Sequence, residues 1–153
     1  MDFKEFFCNS QSLQIMKKRG RNIEPENTKR RVIPEIQMKL VENKLSDYSF
    51  TGCKVISAEI EGIILEKLTL ANIYKSIYEF IGDVDQIKEN AILKIEDGFV
   101  KGRGFVYFEE LNISVQGVTS DKAMKEIFAQ ILNNDLRFRM EIFAGEILLF
   151  VNN

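Results

Sequence analysis

The sequence predicts an α+β fold: a mostly antiparallel sheet with helices packed on one face, preceded by a basic N-terminal arm. Three observations carry this. Two amphipathic helix patterns, each with a capping residue before it and a stop after it, are interleaved with strand patterns. "LRFRMEIF" (Leu136–Phe143) alternates strictly, placing Leu136, Phe138, Met140 and Ile142 on one side as a half-buried strand requires. Charge is divided along the chain: residues 1–44 carry 10 Lys/Arg and 6 Asp/Glu, the remainder 11 and 17. A chain of 153 residues is one ordinary domain in size. The expected organisation is residues 1–48 as an N-terminal segment with the basic arm and a helix, and 49–153 as a single α+β domain.

Each element follows from local pattern. "FKEFFCNSQSLQIM" (Phe3–Met16) suits a short helix or strand against the body. Arg19–Pro34 holds Pro25, Pro34 and Gly20 among polar residues, as a linker or extended arm does. After Pro34, "EIQMKLVENKL" (Glu35–Leu45) spaces Ile36, Leu40 and Val41 as a helix would. "CKVISAEI" (Cys53–Ile60) is a strand, and "GIILEKL" (Gly62–Leu68) extends it past a kink at Gly62. Thr69 caps a helix whose stripe is Leu70, Ile73, Ile77 and Phe80/Ile81, and Gly82 stops it. "NAILKIED" (Asn90–Asp97) is a strand ending in the Asp97–Gly98 turn. Phe105–Phe108 is apolar on both faces, whereas Leu111, Ile113 and Val115 alternate with Asn112, Ser114 and Gln116. Thr119 or Ser120 caps a second helix with stripe Ala123/Met124, Ile127/Phe128 and Ile131/Leu132, ended by Asn133–Asn134. "LRFRMEIF" turns at "AGE" into "ILLFV", the last strand.

The residue inventory excludes several chemistries. With no histidine, Ser–His–Asp and Cys–His nucleophiles, HExxH zinc sites and His general bases are out. Cys8 and Cys53 are too far apart for a zinc knuckle or a CxxC site and read as free thiols. There is no GxxxxGK[ST] loop and no GxGxxG; "GRGFVY" lacks the third glycine. No carboxylate pair among the 23 Asp and Glu is singled out. The expectation is therefore a non-enzymatic protein without metal or cofactor. The start, "MDFKEFFCNS", is not a signal peptide, and no apolar run reaches the roughly 20 residues of a membrane helix, which predicts an intracellular, cytoplasmic protein with no membrane contact.

Positive charge concentrates in "KKRGR" (Lys17, Lys18, Arg19, Arg21) and "TKRR" (Lys29, Arg30, Arg31). A basic arm beside an acidic domain is an electrostatic footprint for DNA or RNA phosphates. The alternative is a solvated loop paired with Glu24, Glu26 and Glu35.

Two family resemblances centre on Lys101–Lys125. "KGRGFVYF" (Lys101–Phe108) resembles the third-strand signature of RNA-recognition motifs at Lys101, Gly102, Gly104, Phe105, Val106 and Phe108. Arg103, and Ile64 in "IILEKL", stand where that family places base-stacking aromatics. "FVYFEELNISVQGVTSDKAMK" (Phe105–Lys125) resembles the hairpin and helix of one lobe of a TATA-box-binding protein; with Lys54–Ile95 upstream, the likeness spans roughly half of the chain. That resemblance implies a concave sheet on the DNA minor groove, with Phe108 on a wedge position and Asn112 and Gln116 beside it. A single lobe per chain implies a homodimer if a saddle is to form. The two likenesses disagree on facing. The first puts Arg103, Phe105 and Tyr107 on the open face; the second puts Val106 and Phe108 there with Asn112, Ser114 and Gln116. A third possibility buries the aromatics entirely. Two functions follow: a nucleic-acid-associated module, or a protein-interaction module of assembly, inhibitor or immunity type that pairs through an edge strand such as "EILLFV".

Overall fold

The structure, a computed structural model, describes residues 32–153, whose compact body runs from Ile33 to Asn153. Phe3–Met16, Cys8, most of the Arg19–Pro34 linker and both basic clusters lie outside the described residues.

The first described element corrects an expectation. Glu35–Gln37 is a strand, β1; helix α1 occupies only Met38–Val41, and a 3-10 segment follows over Glu42–Asp47. The helical spacing of Ile36, Leu40 and Val41 loses to an available sheet edge. Glu35, Ile36 and Gln37 run parallel to Leu149, Phe150 and Val151 of the last strand, where ladder bonds satisfy backbone groups that a short helix leaves open. Leu40 is accordingly exposed, and Met38 takes the buried position.

The remaining order is β2 (Lys54–Ile60), β3 (Ile63–Ile64), α2 (Leu70–Ile81), α3 (Val84–Asn90), β4 (Ile95–Asp97), β5 (Phe105–Phe108), β6 (Ile113–Gln116), α4 (Ser120–Asn133), β7 (Phe138–Phe143) and β8 (Ile147–Asn152). The architecture is α+β. Strands form two sheets, one of five in the order β1-β8-β7-β2-β3 and one of three in the order β4-β6-β5. Every pair is antiparallel except β1 with β8.

Periodicity explains the packing. Phe138, Met140 and Ile142 are buried on the inner face of β7, while Arg139 and Phe143 point outward and are exposed. β2 carries an irregularity between Val55 and Ser57, which leaves Ile56 exposed while Val55, Ala58 and Ile60 stay inward. Phe128 of α4 meets Phe150 of β8 edge-on, 5.4 Å between centroids. α2 is capped by the Thr69 hydroxyl, which accepts from the Asn72 N–H; Gly82 ends it at φ 74° and returns its N–H to the Tyr78 carbonyl. Its buried face is Ile73, Tyr74, Ile77 and Tyr78, with Leu70 and Ile81 half-buried and Phe80 exposed. Tyr74 and Tyr78 meet Phe108 of the three-stranded sheet, at 6.3 and 5.9 Å between centroids. The strand expected over Asn90–Asp97 is confined to Ile95–Asp97, and Asn90 ends an unanticipated helix, α3: Asp83 caps it through the Gln86 N–H, and Ile87 is its one buried residue.

Candidate functional site

The stretch from Gly98 to Gln116 is where sequence reasoning placed chemistry, and its facing is fixed by register. Phe105, Val106, Tyr107 and Phe108 lie opposite Gln116, Val115, Ser114 and Ile113. Directly opposed residues share a face. Val106, Phe108, Ile113 and Val115 therefore face one way, toward the helices, and Phe105, Tyr107, Ser114 and Gln116 face the other.

This corrects the wedge expectation. Phe108 is only 3% exposed, held by Tyr74 and Tyr78 with Lys75 Nζ 5.5 Å from its ring centroid. It offers no ring to a base step. Asn112 sits in the turn before β6 at φ 52°, its Oδ1 accepting from the Tyr107 hydroxyl at 2.6 Å. Gln116 is half-buried on the face away from Phe108 and donates its backbone N–H to the Lys94 carbonyl. Phe108, Asn112 and Gln116 do not form one surface. Lys17, Lys18, Arg19, Arg21, Lys29, Arg30 and Arg31 lie outside the described residues.

A different constellation occupies the outward side. In the order β4-β6-β5, the connection from β4 to β5 must cross β6. Loop Gly98–Gly104 does so and is tied down along its length. The Ser114 hydroxyl donates to the Gly98 carbonyl at 2.7 Å and accepts from the Val100 N–H at 2.9 Å, which buries Ser114. Gly98 N–H donates to the Asn112 carbonyl, and Gly117 N–H to the Gly104 carbonyl. The loop needs left-handed backbone at Gly98, Gly102, Arg103 and Gly104; three of these are glycines, and Arg103 adopts φ 59°. On this framework Phe99 stands 68% exposed, edge-on to Tyr107 at 5.6 Å, and Lys101 and Arg103 of the same loop are exposed. The result is an exposed aromatic pair, Phe99 on the loop and Tyr107 on β5, with two exposed cations on the same short, pinned loop. Phe99 was not anticipated; the Asp97–Gly98 turn pointed to the loop but not to what its crossing would expose.

The second unanticipated group is Glu126 on α4, fully buried. Its Oε2 accepts from the Tyr78 hydroxyl at 2.6 Å and from Gln130 Nε2 at 3.1 Å; its Oε1 accepts from the Ile92 and Leu93 N–H groups at 2.7 and 3.2 Å. Burial first, and the Glu126 charge second, push the Tyr78 phenol above its ordinary range. Four bonds to one carboxylate tie α2, α4 and the α3–β4 connection together. The spacing from Asp121 through Glu126 to Gln130 gives no hint that the last two turn inward.

At the other end of the five-stranded sheet, Glu61 in the β2–β3 turn accepts from the Arg137 backbone N–H at 2.6 Å and from its guanidinium at 3.1 and 3.0 Å. These bonds hold the Glu61 carboxyl below its ordinary value, the backbone bond most. Among the described residues, no group of three or more Asp, Glu, Cys or His is arranged to hold a metal, and no helix is long and apolar enough to cross a membrane. The chain matches no protein-family model, no curated protein and no solved structure.

Proposed function

We propose that this chain is a non-enzymatic module that binds single-stranded nucleic acid, with the Gly98–Gly104 loop as its base-contacting element. The observation that carries this reading is the exposed Phe99–Tyr107 pair, with the exposed cations Lys101 and Arg103 on the same loop as Phe99. An aromatic face next to cations is what stacking on an unpaired base and neutralising its phosphate requires. The basic residues of Lys17–Arg31 supply further phosphate-neutralising charge from the same chain. The acidic balance of the later chain keeps affinity modest and dependent on those basic residues. The interface moves from Phe108, Asn112 and Gln116 to Phe99, Lys101, Arg103 and Tyr107.

The test is fluorescence anisotropy of labelled single-stranded DNA and RNA at about 50 mM salt, where phosphate contacts are strong. Phe99→Ala should weaken binding roughly 5- to 100-fold, the range expected for losing one stacked base. Lys101→Gln with Arg103→Gln should reduce the steepness of the salt dependence by about 1 to 2. Neutralising Lys17, Lys18, Arg19, Arg30 and Arg31 should weaken all sequences alike. Absence of binding to either nucleic acid, or unchanged affinity in Phe99→Ala, rejects the proposal.

A second reading is favoured by the edge of the five-stranded sheet, which is β3 and not the expected "EILLFV": β1 pairs along the flank of β8 that would have been open. β3 pairs with only two residues of β2, and Ile63 and Ile64 are 53% and 74% exposed there. An apolar open edge suits pairing with another protein or a second copy. Light scattering of wild type and Ile64→Lys checks it: a concentration-dependent oligomer abolished by the lysine supports pairing, and a strict monomer that captures no partner removes it.

A further inference from the structure

A cleft of about 510 Å³ opens between the start of α2, the start of α4 and the first residues of β2. Its walls are mainly aliphatic, from Val55, Leu68, Leu70, Val106, Val118 and Ala123. This accounts for Val106, which is 54% exposed although it shares Phe108's inward face: it borders open space beyond the end of the core.

Most polar groups that line this cleft favour an anion. Two helices, of 12 and 14 residues, begin there. In α2 the Thr69 hydroxyl takes the Asn72 N–H and the Thr69 carbonyl takes that of Ile73; in α4 Thr119 does the same for Lys122 and Ala123. The N–H groups of Leu70, Ala71 and Ser120 precede those bonds and have no intrahelical acceptor. All three residues line the cleft, as does exposed Lys54. The acidic group of this region, Asp121, accepts the Phe50 N–H at 2.7 Å through one oxygen, and its charge, after burial, raises the Cys53 thiol on the cleft wall. Independently, Tyr74 lines the cleft while only 4% exposed, and its hydroxyl has no hydrogen-bond partner among the described residues. A helical side chain leans back over the preceding turn, which carries Tyr74 toward the α2 N-terminus and the cleft. A buried hydroxyl without a partner is costly unless something supplies one.

We infer that this cleft binds a small monocarboxylate with an apolar tail. The carboxylate sits at the two helix N-termini near Lys54, where the free N–H groups and both helix dipoles favour an anion. The tail lies on Val55, Leu68, Val106 and Val118, and the Tyr74 hydroxyl donates to the ligand's oxygen. This site opens on the opposite face of β5 from Tyr107 and adjoins the Gly98–Gly104 loop only through Gly117, whose N–H bonds the Gly104 carbonyl.

Octanoate is the probe, with octanol and acetate as controls, each titrated into the full chain while backbone amide resonances are followed. Octanoate should shift the Leu70, Ala71 and Ser120 amides saturably. Octanol, lacking the charge, should bind at least about fivefold more weakly, and acetate, lacking the tail, should not saturate. Ala71→Leu fills the mouth from an exposed helical position and should abolish binding. Tyr74→Phe should weaken octanoate about fivefold, the effect of one hydrogen bond. Lys54→Gln, on an exposed side chain that the fold does not need, should weaken octanoate and leave octanol unchanged. The inference is overturned if octanoate moves none of these amides, if octanol binds as well as octanoate, or if Ala71→Leu binds octanoate as wild type does.

Discussion

Glu126→Leu is the perturbation that most directly tests how the helices are joined. The carboxylate is fully buried and accepts four bonds, none of them from a cationic side chain. Leucine fills the volume but strands the donors. Gln130 Nε2 keeps the Ile87 carbonyl at 2.9 Å, and Ile92, on an exposed residue, has access to water. The Tyr78 hydroxyl and the Leu93 N–H have neither escape. Each stranded donor costs about 1–3 kcal/mol, and relief from burying a carboxylate returns part of it. The net loss should be about 2–5 kcal/mol, a large share of the roughly 5–15 kcal/mol that holds a domain folded. Glu126→Gln should cost only about 1 kcal/mol: one oxygen still serves Ile92 and Leu93, the Tyr78 hydroxyl turns to accept, and only the Gln130 amide meets a donor. The assay is guanidinium unfolding followed by circular dichroism, with unchanged denaturant slope as the two-state control. Tyr78→Phe supplies the cross-check. Alone it should destabilise by about 1–2 kcal/mol; in the Glu126→Leu background it should be neutral or stabilising, because it removes a stranded hydroxyl. A Glu126→Leu protein within about 1 kcal/mol of wild type, or strict additivity with Tyr78→Phe, refutes the assignment.

Two pH predictions follow from the same structure. The Glu61 carboxyl is lowered on folding, first by the Arg137 backbone bond, so its contribution is present above the unfolded carboxylate range near about 4.3 and is lost as pH falls through the folded value. Glu61→Gln should flatten the acid limb of stability against pH below about 4, and an unchanged limb rules out the clamp. Tyr74 and Tyr78 are raised on folding, chiefly by burial and then by Glu126, so their contribution is full below the unfolded phenol value near about 10 and is lost as pH rises beyond it. Of the 4 tyrosines, these two should ionise only as the chain unfolds, visible as a late step in phenolate absorbance; early ionisation of all four would contradict their burial.

What was legible in the sequence is what period alone decides. α2, α4 and β7 lie where periodicity and caps put them, because each buries one face; β8, buried on both faces, was legible as an apolar run after the "AGE" turn. β1 was not legible. Three residues after a proline have no period of their own, and only the exposed flank of β8, more than a hundred residues later, makes them a strand. α3 rests on Asp83 and a single buried Ile87, too little for a stripe. The division into two sheets was also hidden, since strand patterns carry facing but not partners. Glu126 and Gln130 are the clearest case at the level of chemistry. Polar residues one turn apart on an amphipathic helix are read as solvent-facing by default, and only the arrival of Tyr78 and the Ile92–Leu93 backbone makes an inward carboxylate tolerable.

The segment "KGRGFVYF" shows how a non-local constraint redirects a local motif. Read alone, its aromatics compete for one open face, and the choice between Tyr107 and Phe108 decides what the sheet presents. The register gives Phe108 to the core and Tyr107 to the outside. Yet the outside is not a bare sheet, because β4 and β5 flank β6 and their connection has to cross it. That crossing seals Ser114 and sets Phe99 edge-on against Tyr107, so the most exposed aromatic on this face belongs to no strand. The glycines that looked like part of a base-stacking signature, Gly102 and Gly104, have a different local use here: with Gly98 of the preceding turn they supply the left-handed backbone that the crossing requires. A glycine-to-alanine change at Gly102 or Gly104 should therefore displace Phe99, Lys101 and Arg103 together, which ties any ligand contact of this loop to its backbone geometry and not to side-chain chemistry alone.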